Sequence, residues 1–198
     1  VRKITLNKSN LENNYKIKTD DSPVTKYDIE AENYIRKYLE NSFPSHNIIG
    51  EELKVVDKKS EFTWIIDPID GTFNFVRQLP HFCVSIACLH KGKLEHGIIV
   101  DPIRNEEFVT SRGKGCQLNG QRVRVSPKQD LDGALIGMGG ATIDSEKQSQ
   151  LYAKLRAERS NIREQGSACL DLAYVACGRL DGLWTVSYTH LTLPTKRI

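Results

Sequence analysis

Two aspartates stand three positions apart in this sequence, directly after the apolar run Trp64–Ile66. Burying an unpaired carboxylate is costly, and Asp67 and Asp70 would repel each other unless a cation lay between them. Gly71 allows the backbone to approach a ligand closely, and Thr72 can open a helix whose N–H groups suit a phosphate. The spacing favours a metal beside a phosphate, but the same Asp-x-x-Asp-Gly pattern is also common in turns whose acids are exposed to solvent.

A second acidic pair, Glu51 and Glu52, follows another short apolar run and Gly50. If the two apolar runs form neighbouring strands, their carboxylates would converge on one point. Oxygen ligands of this kind suit Mg²⁺. Two metal ions that share such carboxylates can activate a water and stabilise a leaving oxygen. Metal-dependent hydrolysis is therefore the chemistry that these acids favour.

The elements that must position the acids can be predicted from periodicity. Apolar residues at helical spacing predict a helix from Asp28 to Phe43, ended by Pro44. A short strand over 47–49 and a second over 62–66 come next. We expect Pro68 to force the chain off the second strand, because proline has no N–H for the ladder.

The middle of the chain predicts an antiparallel sheet, since apolar runs there are joined by tight turns such as Asn119-Gly120. A composition shift near 131–140 suggests two lobes. Gly178 suits a position just past the end of a helix. The later elements are predicted strands over 82–90, 94–100, 106–111 and 134–138, and predicted helices over 141–160 and 167–177.

Composition excludes several classes of protein. The 198 residues are 39% hydrophobic and 27% charged, with a net charge of +3, which is ordinary for a globular protein and too weak to indicate nucleic acid. No apolar run is long enough to span a membrane. The five cysteines form no Cys-x-x-Cys pair, so we expect neither a disulfide framework nor a zinc site. We expect Cys83 to be a core residue. The cytoplasm is the expected compartment.

Several motifs, in order, resemble the inositol monophosphatase family. The segment Trp64–Phe75 (WIIDPIDGTFNF) is similar to the first signature of that family, and Ile48–Glu52 to its glutamate motif. Ser22–Asp28 resembles its N-terminal Thr…Asp motif, and Gly166–Asp181 resembles a helix of its second lobe. The similarity runs from about Lys18 to Trp184.

The resemblance implies an α+β fold, the layered αβαβα sandwich of sugar phosphatases, with an incomplete second lobe. The domains would be an N-terminal lobe over 1–133 that holds the metal site, a partial C-terminal lobe over 134–184 and an unrelated tail over 185–198. The activity implied is Mg²⁺-dependent hydrolysis of a phosphomonoester. Partners would be a small phosphorylated substrate and, for the full-length protein, a second copy in a homodimer, with neither nucleic acid nor membrane.

Residue roles follow from the same resemblance. Glu51, Asp67 and the carbonyl of Ile69 would hold one Mg²⁺, and Asp67 and Asp70 would hold a second. Glu51 and Thr72, the latter paired with Asp28, would orient the attacking water. The substrate-binding groups would be those of Asp70, Gly71, Thr72, Gly166, Ser167 and Ala168.

The sequence also departs from the family. The second signature, Trp-Asp-x-Ala-Ala-Gly, is absent after Asp181, and its aspartate is a metal ligand in the family. Nothing from Thr185 to Ile198 matches, and Val1–Tyr15 holds at most part of the family's first helix. We therefore expect a chain truncated at both ends that is a weak or inactive phosphatase.

Substrate and role stay open at this point. The segment Gly71–Phe75 favours inositol-1-phosphate, while fructose-1,6-bisphosphate, histidinol phosphate and nucleotide bisphosphates remain alternatives. A different class of function is a non-catalytic protein that keeps the fold and binds other macromolecules.

Overall fold

A computed structural model describes residues 5, 15–18, 23–139 and 145–185. These residues form a seven-stranded sheet, a three-stranded parallel sheet and a two-stranded antiparallel pair. In the large sheet the first two strands are parallel and all later pairings are antiparallel, as predicted for the middle of the chain. None of the helices in the described part of the chain has the length and apolar composition to cross a membrane.

Strands and helices are numbered in chain order. The pair consists of β1 Tyr15–Ile17 and β2 Pro23–Thr25. The large sheet consists of β3 Asn47–Gly50, β4 Phe62–Asp70, β5 Cys83–His90, β6 Lys93–Asp101, β7 Glu106–Ser111, β8 Gly115–Leu118 and β9 Gln121–Arg122. The small sheet consists of β10 Leu135–Gly139, β11 Asn161–Arg163 and β12 Gly182–Thr185. The helices are α1 Lys26–Ser42, α2 Thr72–Val76, α3 Ser145–Ala157 and α4 Ala168–Ala176.

Helix α1 begins at a capping box. The Thr25 hydroxyl accepts hydrogen bonds from the backbone N–H groups of Tyr27 and Asp28, while the Asp28 carboxylate accepts one from the Thr25 N–H. This cap starts the helix two residues before the predicted Asp28. The last helical residue is Ser42 and Phe43 is the C-cap, so the helix ends within one residue of the predicted Phe43, before Pro44.

Strand β4 corrects the prediction about Pro68. The strand does not stop at Asp67 but continues to Asp70, and the register to β5 shifts between these two aspartates. Asp67 faces Ser85 and Asp70 faces Cys83, so three steps along β4 match two along β5. Such a bulge accommodates a proline because the ladder is interrupted there.

The layers alternate between helices and sheets. Neighbouring residues Cys83 and Val84 of β5 lie in different core clusters: Val84 packs under α1, and Cys83 packs against α4. Helix α4 contacts strands of both sheets, and α3 packs on the small sheet through Leu155. The order α1, large sheet, α4, small sheet, α3 confirms the predicted α+β class and its layered arrangement.

The small sheet was predicted only in part. Strand β10 lies one residue later than the predicted strand over 134–138, and the short strands β11 and β12 were missed. The predicted helix over 141–160 is seen as Ser145–Ala157, while residues 140–144 lie outside the described residues. The division into lobes at 134 stays a prediction, and the predicted tail lies outside the described residues except for Thr185.

Candidate metal centre

The two acidic segments meet at one edge of the large sheet. Strands β3 and β4 are parallel neighbours, and the Glu51 N–H donates to the Ile66 carbonyl at 3.2 Å. Glu51, just past the end of β3, and Asp67, within β4, therefore lie side by side, and the two acidic segments converge as the sequence predicted for neighbouring strands. The Glu51 side chain is half exposed, whereas Asp67 is buried.

Burial decides between the metal and the turn interpretations of the aspartates. Asp67 is 7% exposed and Asp70 is 6% exposed, so the alternative of a turn with solvated acids is wrong. Burial, together with the neighbouring Asp70 and Glu51 carboxylates, raises the pKa of Asp67 well above its ordinary value. Oδ1 of Asp67 is buried and accepts no hydrogen bond within the described part of the chain. A buried carboxylate oxygen without a donor is the arrangement that a bound cation satisfies.

Asp70 is fixed by the start of helix α4. Its Oδ2 accepts from the Ser167 hydroxyl at 2.5 Å and from the Cys169 N–H at 2.8 Å. The Cys83 sulfur lies 3.7 Å from the same oxygen. These contacts hold Asp70 facing Asp67, and they bring two thiols next to the carboxylates, which the sequence did not predict.

Thr72 and Asp28 are joined as the family resemblance implied. The Thr72 hydroxyl lies 3.3 Å from Oδ1 of Asp28 and 3.0 Å from the Ile69 carbonyl oxygen. Oδ2 of Asp28 is already occupied, because the N–H and hydroxyl of Thr25 donate to it at 2.8 and 2.5 Å. Burial raises the pKa of Asp28, although the hydrogen bonds from Thr25 oppose this shift.

The loop Gly166–Ala168 lies directly against the centre. Gly71 has a positive φ of 92°, and a Cβ at this position would lie 3.0 Å from the Gly166 carbonyl oxygen and 3.1 Å from the Ser167 Cβ. Only glycine fits this backbone conformation and this close approach without strain. The structure thus brings the predicted substrate loop, through Ser167 and the N–H of Cys169, the second residue of α4, to the predicted metal ligand Asp70.

Asn74 connects this loop to the rest of the site, a role that the sequence did not reveal. Its Nδ2 donates to the Gln165 carbonyl at 2.6 Å and to the His81 carbonyl at 2.7 Å. The Gln165 and His81 side chains both contact Oδ1 of Asp171, at 2.8 and 3.0 Å. One buried amide in α2 therefore holds two loops from distant parts of the chain.

A buried ion pair supports the segment that carries Glu51. Arg36 donates from Nε to Glu32 at 2.7 Å and from its other nitrogens to the Leu53 and Lys54 carbonyls. Glu32 accepts from the Glu52 N–H at 2.8 Å. The sequence showed Glu32 beside the Thr…Asp motif, but only the fold brings it under this segment.

Lys18 faces the same acids from the N-terminal side. Its ammonium group lies 2.7 Å from Glu51 and 2.6 Å from Glu52. Burial is the main reason why the pKa of Glu52 rises to about 7, even though Lys18 opposes that shift. Within the described residues, Lys18 is thus a cation already placed beside a predicted metal ligand.

The donor set fits a hard divalent cation. Asp67 and Asp70 have carboxylate oxygens within 4.8 Å of each other, Glu51 adjoins Asp67, and Ile69 lies between the aspartates on the same bulge. Oxygen ligands in this number suit Mg²⁺. Oδ1 of Asp67 meets no donor among the described residues, and its charge is one that such an ion would neutralise.

Comparison with known proteins identifies the family. The family model described as "Inositol monophosphatase family" matches residues 2–191. The chain belongs to the inositol monophosphatase family. The matched range extends on both sides of the Lys18–Trp184 range on which the resemblance was based.

The relatives of this chain carry two kinds of name, SuhB and inositol monophosphatase. Nus factor SuhB of Pseudomonas aeruginosa is 45% identical over 169 residues, which are 81% of this chain and 62% of that protein. The crystal structure of extragenic suppressor protein suhB from Bartonella henselae has a TM-score of 0.84 at 35% identity, covering 90% of this chain and 70% of that one. Inositol monophosphatase from Anabaena (Nostoc) sp. has a TM-score of 0.73 at 35% identity, covering 82% and 66%. The chain thus spans about 62% of the length of its curated SuhB relative.

Proposed function

We propose that this chain carries the metal centre of a Mg²⁺-dependent phosphomonoesterase that acts on inositol-1-phosphate. The observation that carries the proposal is the buried Oδ1 of Asp67, which accepts no hydrogen bond from the described residues and belongs to a carboxyl group that interacts with Asp70 and Glu51. Membership of the inositol monophosphatase family and likeness to a structure of that name support the choice of reaction and substrate.

Each residue of the centre would have a distinct role. Glu51, Asp67, Asp70 and the Ile69 carbonyl would hold Mg²⁺. Bound Mg²⁺ supplies charge neutralisation for the phosphate and lowers the pKa of a water. The N–H groups of Gly71 and Thr72, where α2 begins, would receive the phosphate oxygens.

The Thr72 hydroxyl is suited to orient the attacking water. Because Thr25 occupies Oδ2 of Asp28, Oδ1 remains to accept the Thr72 proton at 3.3 Å. The Thr72 oxygen can then accept a hydrogen bond from the water, which points a lone pair of that water toward phosphorus. The water's proton would pass to Glu51, whose half-exposed carboxylate adjoins Asp67. Phosphoryl transfer needs this positioning more than covalent help from the protein.

Release of phosphate from inositol-1-phosphate tests the proposal. Because the sequence has no Trp-Asp-x-Ala-Ala-Gly motif, we expect release to be slow but strictly dependent on Mg²⁺. Asp67→Asn should abolish it and Thr72→Val should reduce it about 10²-fold. Asp57→Asn, at an exposed carboxylate, is the control. Release that is independent of Mg²⁺, or unchanged in Asp67→Asn, would refute the proposal.

A second candidate function follows from the names of the relatives. Proteins called Nus factor SuhB share 45% and 44% of aligned residues with this chain, and this name is not that of a phosphatase. We therefore do not carry forward the expectation that nucleic acid is absent from its partners. In this alternative the fold serves as a binding surface. Asp67→Asn in a full-length relative distinguishes the two: a cell that needs only binding tolerates the substitution, and one that needs hydrolysis does not.

The compartment and the oligomer belong to the proposal as well. The five cysteines are free thiols, which supports a reducing cytoplasm. The homodimer of the full-length protein stays a prediction. So do fructose-1,6-bisphosphate, histidinol phosphate and nucleotide bisphosphates as alternative substrates, and the same release assay ranks them.

A further inference from the structure

Two buried thiols lie in the wall of the carboxylate centre. Cys83 is fully buried at the start of β5, and Cys169 is 1% exposed in the first turn of α4. The two residues belong to one core cluster, and both contact Oδ2 of Asp70, Cys83 through its sulfur and Cys169 through its N–H, so they form a pair. The phosphatase chemistry proposed above uses neither of them.

The pair adjoins both aspartates. The Cys83 sulfur is 3.7 Å from Oδ2 of Asp70, and the Cys169 sulfur and one oxygen of each aspartate all lie within 4.8 Å of one another. Around a tetrahedral ion with Zn–S near 2.3 Å and Zn–O near 2.0 Å, a sulfur and an oxygen ligand are about 3.5 Å apart. The distance of 3.7 Å between the Cys83 sulfur and Oδ2 of Asp70 is close to this expected distance between two ligands of one ion. Oδ1 of Asp67, the buried oxygen that also supports the Mg²⁺ proposal, accepts no hydrogen bond from the described residues and so indicates a missing cation at this place.

We propose that Asp67, Asp70, Cys83 and Cys169 form a mixed carboxylate–thiol site for a thiophilic divalent cation of the Zn²⁺ and Cd²⁺ class. Thiolates select such ions, whereas Mg²⁺ prefers oxygen ligands alone. Each thiol that joins the ion gives its proton to solvent, so binding of one M²⁺ by both sulfurs releases two protons, and nothing is oxidised or reduced.

The same aspartates serve both classes of ion. If the proposed function is correct, a thiophilic ion would take Asp67 and Asp70 away from Mg²⁺ and would inhibit phosphate release. This consequence rests on the proposed function, but binding of the thiophilic ion does not. With Cys83 and Cys169 among its ligands, the centre would be inhibited by a thiophilic ion, for which a site built only of oxygen ligands is less selective.

Titration with CdCl₂ under reducing conditions tests the site. The chain should develop the ultraviolet charge-transfer band of a Cd²⁺–thiolate bond at one equivalent. The band should be lost and the Cd²⁺ dissociation constant should rise at least tenfold in Cys83→Ala/Cys169→Ala, while the Mg²⁺ dissociation constant changes less than twofold. Cys88→Ala is the matched control, because Cys88 is also buried on β5 but its sulfur contacts the Leu89 carbonyl rather than an aspartate.

Each outcome has a definite meaning. No band in the unsubstituted chain, or a band that persists in the double variant, would overturn the inference, the latter by placing Cd²⁺ on other thiols. Asp67→Asn keeps both cysteines and should still weaken Cd²⁺ binding at least tenfold, and unchanged binding would also overturn the site. A thermal melt confirms that each variant is folded. A Cd²⁺ band without any Mg²⁺-dependent phosphate release would support this site and refute the proposed function. Mg²⁺-dependent phosphate release without a Cd²⁺ band would support the proposed function and refute this site.

Discussion

Asp67 is the side chain of the centre whose burial is electrostatically most unfavourable. It is buried beside two other carboxylates, and one of its oxygens meets no donor in the described part of the protein. A group of this kind destabilises the metal-free fold, since nothing offsets the desolvation of its charge. The same feature makes it a strong ligand once a cation is present.

Removal of that charge should therefore stabilise the metal-free chain. We expect Asp67→Asn to raise the melting temperature in EDTA by about 2–4 °C, the shift that about 1 kcal/mol produces in a chain of this size. The stabilisation that Mg²⁺ gives to the unsubstituted chain should disappear. Differential scanning calorimetry with and without Mg²⁺ measures both effects, and a lower melting temperature in EDTA would contradict the assigned repulsion.

Lys18 occupies a position in which its charge competes with a metal ion. Its ammonium group lies 2.7 Å from Glu51, so a divalent ion bound to Glu51 would meet a like charge. We expect Lys18→Met to lower the Mg²⁺ dissociation constant about tenfold, equivalent to about 1.4 kcal/mol. Isothermal titration calorimetry gives this constant. Lys16→Met, at an exposed position of the neighbouring strand β1, should leave it unchanged, and weaker binding in Lys18→Met would show that Lys18 helps the metal.

At the scale of elements, the end of β3 depends on a glycine. A Cβ on Gly50 would lie 1.8 Å from Oε1 of Glu32, which is fully buried and paired with Arg36. Neither partner can move to solvent without breaking the bonds that hold the segment after Gly50. The position of Glu51 therefore depends on the absence of a side chain one residue earlier.

Gly50→Ala should be strongly destabilising for this reason. We expect it to lower the free energy of unfolding by about 3 kcal/mol, the upper range for overpacking and the lower range for disruption of a buried ion pair. Urea denaturation measures the change. Gly139→Ala is the control, since a Cβ there meets nothing closer than 3.6 Å among the described residues. Equal losses in the two variants would show that the Glu32–Arg36 pair does not restrict this site.

Elements were predictable where periodicity or turn chemistry was strong. Helix α1 and the hairpins of the large sheet were predicted within one to three residues, because their apolar spacing and tight turns are local properties. The path of β4 was not, since a bulge against β5 accommodates Pro68 and no local rule indicates that bulge. Strand β11 has only three residues and gave no pattern, since it is defined by pairing with β10.

The carboxylate centre was also predictable only in part. The family motifs identified Glu51, Asp67, Asp70 and Thr72, and the sheet places them together. Cys83 was predicted only as a core residue, because its proximity to Cys169 arises only when β5 and α4 pack together. Lys18 and Arg36 reach the site through contacts between residues distant in sequence, which a single sequence does not reveal.

For the molecule as a whole, the centre lies where strands β3 and β4 end and helix α4 begins, so cation binding and global stability are linked. The pKa values of Asp67, Asp28 and Glu52 are raised in the fold, that of Glu52 to about 7. A carboxyl group whose pKa is raised by folding favours the folded state when protonated. That stability is present below the ordinary carboxyl pKa and is lost as pH rises through the folded value.

We therefore expect the metal-free chain to lose stability as pH rises from about 4.5 to about 7, the range over which Glu52 ionises, while the raised pKa values of Asp67 and Asp28 act in the same direction. Mg²⁺ should reverse the trend, because it binds the ionised carboxylates and stabilises the fold by about 2.7 kcal/mol at a concentration one hundred times its dissociation constant. Melting temperatures in EDTA and in Mg²⁺ across this range measure the effect. A metal-free chain that gains stability up to pH 7 would contradict the assigned burial of these acids.

Both the proposed hydrolysis and the linked stability require that Glu51, Asp67 and Asp70 hold a divalent cation. Crystals of the 198-residue chain grown with Mn²⁺ in place of Mg²⁺ would show the ion itself in an anomalous difference map. We expect a peak within coordination distance of Asp67 Oδ1, bounded by Asp70 and Glu51 and lost in Asp67→Asn. A map without a peak there, or with an unchanged peak in Asp67→Asn, would contradict this assignment.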